Sequence, residues 1–220
     1  MSRLRTILDS TPNPKPLCML VLDRKKLLNG YVSRFGPLTN SLADAFRFLL
    51  SQIEKDDRFS NTESDRRQLA YCMATFKWET AHTMHPIDEY GGDPYFNKRY
   101  GPSTSVGKML GNTKPGDGAL FHGRGYVQIT GRRNYAKARS LTGVDLVTQP
   151  DLAKDPVVAY QIAIQGMKEG WFTGKKLSQF INNEKADFEN ARTIINGYDK
   201  AEIIANIARR YSEILRESLT

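Results

Sequence analysis

The chain has 220 residues, 40% of them hydrophobic and 25% charged, which suffices for one buried core and excludes a disordered protein. Its net charge of +8 and pI near 9.4 point to an anionic partner (nucleic acid, acidic lipid or an acidic cell-wall polymer) or to solubility alone. Cys18 and Cys72 stand in unrelated contexts and predict no disulfide, and the apolar run 17–22 is too short for a secretory core or a membrane span.

Residues 1–16 carry Pro12, Pro14 and Pro16 and read as an extended or mobile arm, followed by a short strand or packed segment at 17–22. Asp23 is an N-cap for a helix with Leu27, Leu28, Tyr31, Val32 and Phe35 on its apolar side, stopped by Gly36-Pro37. Thr39 opens a second helix, whose apolar face is Leu42, Ala45, Phe46, Leu49, Leu50 and Ile53. After a polar connector at 55–63, a third helix is expected over about 64–80, with Leu69, Cys72, Met73 and Phe76 at helical spacing.

From about 86 to 131 the periodicity fades, glycine is dense and aromatics are interleaved. This stretch reads as a loop-rich, groove-forming lobe with one or two short hairpins, and 126–130 is its best strand candidate. Helices are expected again at 134–141, from Asp155-Pro156 to about 168, at 175–181 and at 187–195. The last spans about 200–219, with Ile203, Ile207, Tyr211, Ile214 and Leu215 on one stripe. There are no repeats, so a single mainly helical domain over 1–220 is predicted.

Two glutamates frame the join between helix and lobe. Glu79 falls at the end of the third helix, and Glu89 lies ten positions on, beyond Pro86 and before Gly91-Gly92. One unbroken helix would part them by about 15 Å along its axis, whereas a helix end and a returning loop aim both at one cleft. Two carboxylates facing one substrate suit glycoside hydrolysis, although such a pair also occurs as plain capping or surface groups.

Further motifs follow in order: Pro115-Gly116-Asp117-Gly118, then Gly123 through Tyr135 (GRGYVQITGRRNY). With the WET and EYGG that carry the two glutamates, with Leu38-Thr39, Tyr95-Phe96-Asn97 and Arg99-Tyr100-Gly101, and with Ile195-Asn196-Gly197, the chain resembles glycoside hydrolase family 19 over about 24–215. This is the chitinase and lysozyme-like group, and the likeness is strongest to phage endolysins and related bacterial wall hydrolases. The resemblance implies a lysozyme-like α+β domain: a helical body with a loop-rich lobe and short hairpin beside a substrate groove. It implies Glu79 as general acid, Glu89 as general base, and Thr130 as the hydroxyl that positions the attacking water. Gln128 and Asn196 would contact substrate, and Tyr135 would lie near the sugar-binding floor. Inversion would follow, with carboxylates about 6.5–9.5 Å apart.

Local chemistry adds expectations of its own. Phe76, Trp78 and Met84 are apolar neighbours expected to favour a neutral Glu79 carboxyl, while Asp88, Tyr90 and two glycines make Glu89 wetter. Arg124, between two glycines, reads as a structural or carboxylate-orienting cation with a place at the substrate site. Tyr90 and Tyr126, like Tyr95, Phe96 and Tyr100, suit stacking on sugars or packing in the core. Many relatives carry an arginine after the Asn-Gly turn that joins the carboxylates; here Arg192, Arg209 and Arg210 compete for that role.

The expected function is therefore inverting hydrolysis of β-1,4 bonds in peptidoglycan, with chitin oligomers as the alternative substrate and no cofactor. Less favoured is a metal-dependent wall peptidase built on His82, His85, His122 and Cys72, because WETAHTMH is not the zinc pattern HExxH. A glycan-binding protein without catalysis is the other minor alternative. The basic residues read as spread along the chain, without a nucleic-acid-binding signature, and Glu202, Glu213 and Glu217 balance the arginines of the last helix, arguing against membrane insertion. A monomer is expected, made in the cytoplasm without a signal peptide and reaching the cell wall through a separate pore.

Overall fold

The Asp23 carboxylate accepts from the Lys26 amide and opens α1 (Arg24–Phe35). Thr39 does the same for α2 (Asn40–Ile53) and Thr62 for α3 (Glu63–Glu79), each hydroxyl accepting from an amide of the first turn. The computed structural model describes residues 20–219, so the proline arm at 1–16 and Cys18 lie outside the described residues.

α3 is buried along 68–77 without interruption, the mark of a helix enclosed on all sides rather than an amphipathic surface helix. Its principal neighbour is α10 (Ala201–Glu217), against which α1 also packs. α10 buries Ile204, Ile207, Tyr211, Ile214 and Leu215; Ile203, expected on that stripe, is instead exposed. The main-chain bond from the Asp23 amide to the Ser218 carbonyl, 2.7 Å, fastens the start of α1 to the end of α10. α8 (Pro156–Glu169) begins as expected, with Asp155 accepting from the Val157 and Val158 amides and proline in the first turn. One apolar cluster runs from Leu20 to Leu215 through these helices.

The lobe contains the small antiparallel pairing expected of it, in the form of two two-residue strands, β1 (Ile87–Asp88) and β2 (Arg124–Gly125), with Ile87 opposite Gly125. Three short helices fill the rest: α4 (Asp93–Tyr100), α5 (Ser105–Met109) and α6 (Asp117–Leu120). The expected strand at 126–130 is a loop with a single bridge from Ile129 to Arg124, because Gln128 takes φ +52° and breaks the extended path. α7 (Arg132–Thr142) then returns to the body and ends at Gly143, φ +71°. Farther on, 175–181 shrinks to α9 (Leu177–Phe180), and 187–195 contains only a 3-10 turn, Asn190–Ile194. No helix among the described residues is long and apolar enough to cross a membrane.

Candidate active site

Glu79 is the last residue of α3, and the chain is made to turn directly after it. The buried Thr80 hydroxyl donates to the Phe76 carbonyl at 2.7 Å and accepts from the Met84 amide at 3.0 Å. Ala81, His82 and Met84 all adopt positive φ, a coiling that costs energy and that this cap holds in place. The carboxylate left at the helix end accepts from Arg192 Nη1 at 2.6 Å. That guanidinium is buried in the 3-10 turn and also donates through Nε to the Asp199 carbonyl at 2.9 Å.

Arg192 is thus the arginine of the carboxylate network. Arg209 turns to Asn206, and Arg210 to the Arg34 carbonyl and the face of Phe35. The apolar setting expected for Glu79 is not the one found. Phe76 stacks on Tyr126 at 4.6 Å, and Met84 lies in the core against the Tyr211 hydroxyl, so these residues secure the helix while a cation meets the carboxylate.

Glu89 is held differently. Its amide donates to the Gly123 carbonyl at 2.7 Å, extending the β1–β2 pairing by one residue. Its carboxylate accepts from the Gly123 amide at 3.1 Å and from the Tyr100 hydroxyl at 2.8 Å; the exposed Arg99 is farther off at 3.7 Å. Burial, and then the bond to Glu89, push the Tyr100 hydroxyl well above the usual tyrosine range, so it remains a donor. Gly123 is required by space: a Cβ there would fall 2.9 Å from Gln128 Oε1 and 3.0 Å from Glu89 Oε2. The bare α-carbon therefore lets the Glu89 carboxylate and the Gln128 amide approach the same point.

The strand alternation sends the neighbouring Asp88 the other way. It meets Lys154 Nζ at 2.6 Å, His122 Nε2 at 3.1 Å and Arg124 Nε at 3.2 Å. Burial raises the Asp88 carboxyl, but the Lys154 and His122 bonds outweigh it and hold the group below its usual range.

A cleft of about 360 Å³ opens beside Glu79. Gln128, Thr130 and Asn196 border it, and so does Tyr100. Glu89 does not itself border the cavity; Tyr100 and Gln128, which touch it or approach the same glycine, connect it to the edge. Gln128 Nε2 donates to the Ile87 and Gly125 carbonyls, fixing the amide. Thr130 Oγ1 donates to the Gln128 carbonyl at 3.0 Å, which leaves the oxygen's lone pairs as its remaining capacity toward a ligand. One wall is apolar, formed by Val106, Met109 and Leu110 at α5, with Phe172 and Ile195 also lining the space.

Three expected substrate contacts lie elsewhere. Tyr135 is fully buried, accepting from Arg124 Nη1 and donating to the His122 carbonyl, because its ring fills the space under Phe121. Tyr126 is equally buried on Phe76. Arg124 is 5% exposed and is spent on the Tyr135 hydroxyl, the Leu120 carbonyl and the Asp88 and Asp151 carboxylates. All three hold the lobe together from within, and none borders the cleft beside Glu79. Tyr90, beside Glu89, is fully exposed.

Asn134 was missed: it borders the cleft and donates to the Thr130 carbonyl at 2.7 Å, and its place one turn after Thr130 in the GRRNY run was the available signal. The metal alternative fails on geometry. His85 meets Ser41, His122 meets Asp88 and the Ala119 carbonyl, and burial pushes the Cys72 thiol up to about 12. Among the described residues no cluster of three or more metal-binding side chains occurs.

The chain is similar to several known chitinases. An endochitinase of Arabidopsis thaliana is 29% identical over 146 residues, covering 64% of this chain and 46% of the relative. Chitinase 11 of Oryza sativa subsp. japonica is 33% identical over 122 residues, covering 55% and 43%. The chain thus spans less than half the length of these relatives. Among solved structures, chitinase C from Streptomyces griseus superposes with a TM-score of 0.57 at 20% identity, covering 93% of this chain and 95% of that one. A bacterial family 19 chitinase gives 0.54 at 17% identity, covering 88% and 94%, and at these identities both likenesses speak for the fold alone. The profile of glycoside hydrolase family 19, described as chitinase class I, matches residues 53–178, more than half of the chain and the stretch that holds Glu79, Glu89 and Thr130; the chain belongs to that family.

Proposed function

We propose that this protein hydrolyses β-1,4 linkages of an N-acetylglucosamine glycan with inversion at the anomeric carbon, Glu79 serving as general acid and Glu89 as general base. The observation that carries the reading is the division of labour at the cleft. Glu79 and Thr130 border the same cavity, while Glu89 stands at its edge, oriented by two donors that are not cations.

Arg192 occupies one oxygen of Glu79 and leaves the other to carry a proton toward the glycosidic oxygen. As that proton leaves, the guanidinium stabilises the anion it leaves behind, a contact stronger in the transition state than before it. Glu89 accepts one hydrogen of a water. Thr130 Oγ1, its own hydrogen committed to the Gln128 carbonyl, accepts the other, so the water's lone pair is directed at the anomeric carbon.

The relatives are chitinases, so chitin oligomers are the first substrate of this reading, ahead of the peptidoglycan expected from sequence. Peptidoglycan is the second, favoured by the net charge of +8. Turnover of chitohexaose by Glu79→Gln and Glu89→Gln variants tests the roles. We expect a loss of about a thousandfold or more in each with unchanged circular dichroism, in the range for a positioned acid or base. Wild-type turnover by Glu79→Gln would refute the reading.

A further inference from the structure

The basic residues, read from the sequence as spread along the chain, are spread only in number. Residues 94–144 contain nine lysines and arginines and a single acid, Asp117. The rest of the chain is balanced, 23 basic against 23 acidic, so these 51 residues carry the whole +8. They also supply α4 after its first residue, Asp93, all of α5 to α7, and most of the cleft's border. A charge needed only for solubility has no reason to gather there.

Four of the nine are neutralised within the fold or lie near an acid. Arg99 approaches Glu89, Arg124 meets Asp88 and Asp151, Arg132 binds Asp117, and Arg139 faces Asp145. Lys98, Lys108, Lys114, Arg133 and Lys137 are exposed, and among the described residues none forms an ion pair. Three of these stand next to residues that line the groove. Lys108 precedes the cleft residue Met109 on α5; Arg133 donates to the Met109 carbonyl and precedes the cleft residue Asn134. Lys137, a turn farther along α7, donates to the Trp171 carbonyl at 3.2 Å, next to the cleft residue Phe172. The cations thus follow the cleft border from α5 across α7 to the loop after α8.

We propose that this rim is a docking surface for the carboxylates of peptide stems borne on a glycan strand lying in the cleft, as in peptidoglycan. It rests on the cleft being a glycan groove. A neutral chitin strand offers these three cations no opposite charge. A strand bearing acidic peptides on alternate sugars brings carboxylates out of the groove at the level of its border. Charges screen each other beyond about 8 Å at physiological salt, so cations at the border act on such branches where distant ones would not. The rim governs capture of the polymer, and the two glutamates govern cleavage.

The test uses full-length Glu79→Gln protein, so that binding is read without turnover, sedimented with intact sacculi, with sacculi stripped of stem peptides by an amidase, and with chitin. Affinity for intact sacculi should exceed that for the other two by about tenfold at low salt and converge with them above roughly 0.5 M salt. Adding Lys108→Glu, which does not hold the fold together, should lower that excess. The same substitution in the active enzyme should leave chitohexaose turnover unchanged, which also certifies the fold. Arg133→Gln with Lys137→Gln, scored the same way, gives a second arm. Equal binding to intact and stripped sacculi, or competition by duplex DNA as effective as that by soluble muropeptides, would overturn the proposal. Absence of all turnover in the unmodified enzyme would overturn the hydrolase reading instead and leave the sedimentation result standing.

Discussion

In the helical body, a helix buried along 68–77 presents Glu79 at its end, and a buried guanidinium grips one oxygen. In the lobe, a two-residue strand presents Glu89, and a backbone amide and a tyrosine hydroxyl hold it at 3.1 and 2.8 Å. The first arrangement relies on packing and opposite charge, the second on steric fit and neutral donors. The contrast suits the proposed chemistry, because an acid gains from a cation that welcomes its anion, whereas a full ion pair would weaken a base.

Removing the cation should have the largest effect. Arg192→Ala leaves Glu79 partly buried without its partner and is expected to cost about 3–5 kcal/mol of stability, read by urea unfolding, together with most of the turnover. A variant as stable and active as the parent would show that the body does not hold its carboxylate through charge. Next comes Gly123→Ala, which forces the Gln128 amide or the Glu89 carboxylate away from a new Cβ. Displacement of a reacting group by about 1 Å lowers turnover about a hundredfold, so kcat should fall far more than stability. Loss of stability with kcat unchanged would make Gly123 a packing residue only.

The smallest effect concerns how the lobe itself is held. Asp117, buried at the start of α6, takes two bonds from Arg132 and further bonds from the Thr113 and Lys114 amides. Burial raises its carboxyl, but the Arg132 bonds and those amides hold it down at about 2, below its ordinary 3.8. A depressed carboxyl adds stability above its unfolded pKa, and that contribution is lost as pH falls from about 4 through about 2. Thermal melts across this window should show the parent losing stability faster than Asp117→Asn. Parallel pH profiles for the two would contradict the assignment.

The body was largely legible from sequence because its signals are local and repeated. Asp23, Thr39 and Asp155-Pro156 act as caps where they were read, and α2 and α3 are long enough to show a period. The lobe was not, because helices of 8, 5 and 4 residues are too short to establish one. The alternation at 126–130 imitated a strand until Gln128 turned to positive φ. Tyr126 and Tyr135 show the limit for single aromatics: only tertiary packing decides whether a ring meets sugar or core. Arg192 was one of three candidates until the 3-10 turn brought it to Glu79. The charge imbalance, by contrast, lies wholly in the sequence, as a long stretch that lacks acids rather than as a run of basic residues.

A proton NMR time course of freshly cleaved chitohexaose tests the two-carboxylate account most directly. If Glu89 activates a water opposite the leaving group, the first reducing ends to appear are α-anomers, mutarotating to the β form only afterwards. Initial release of the β-anomer would mean that a carboxylate or the substrate's own 2-acetamido group had attacked the sugar, and the role assigned to Glu89 would not stand.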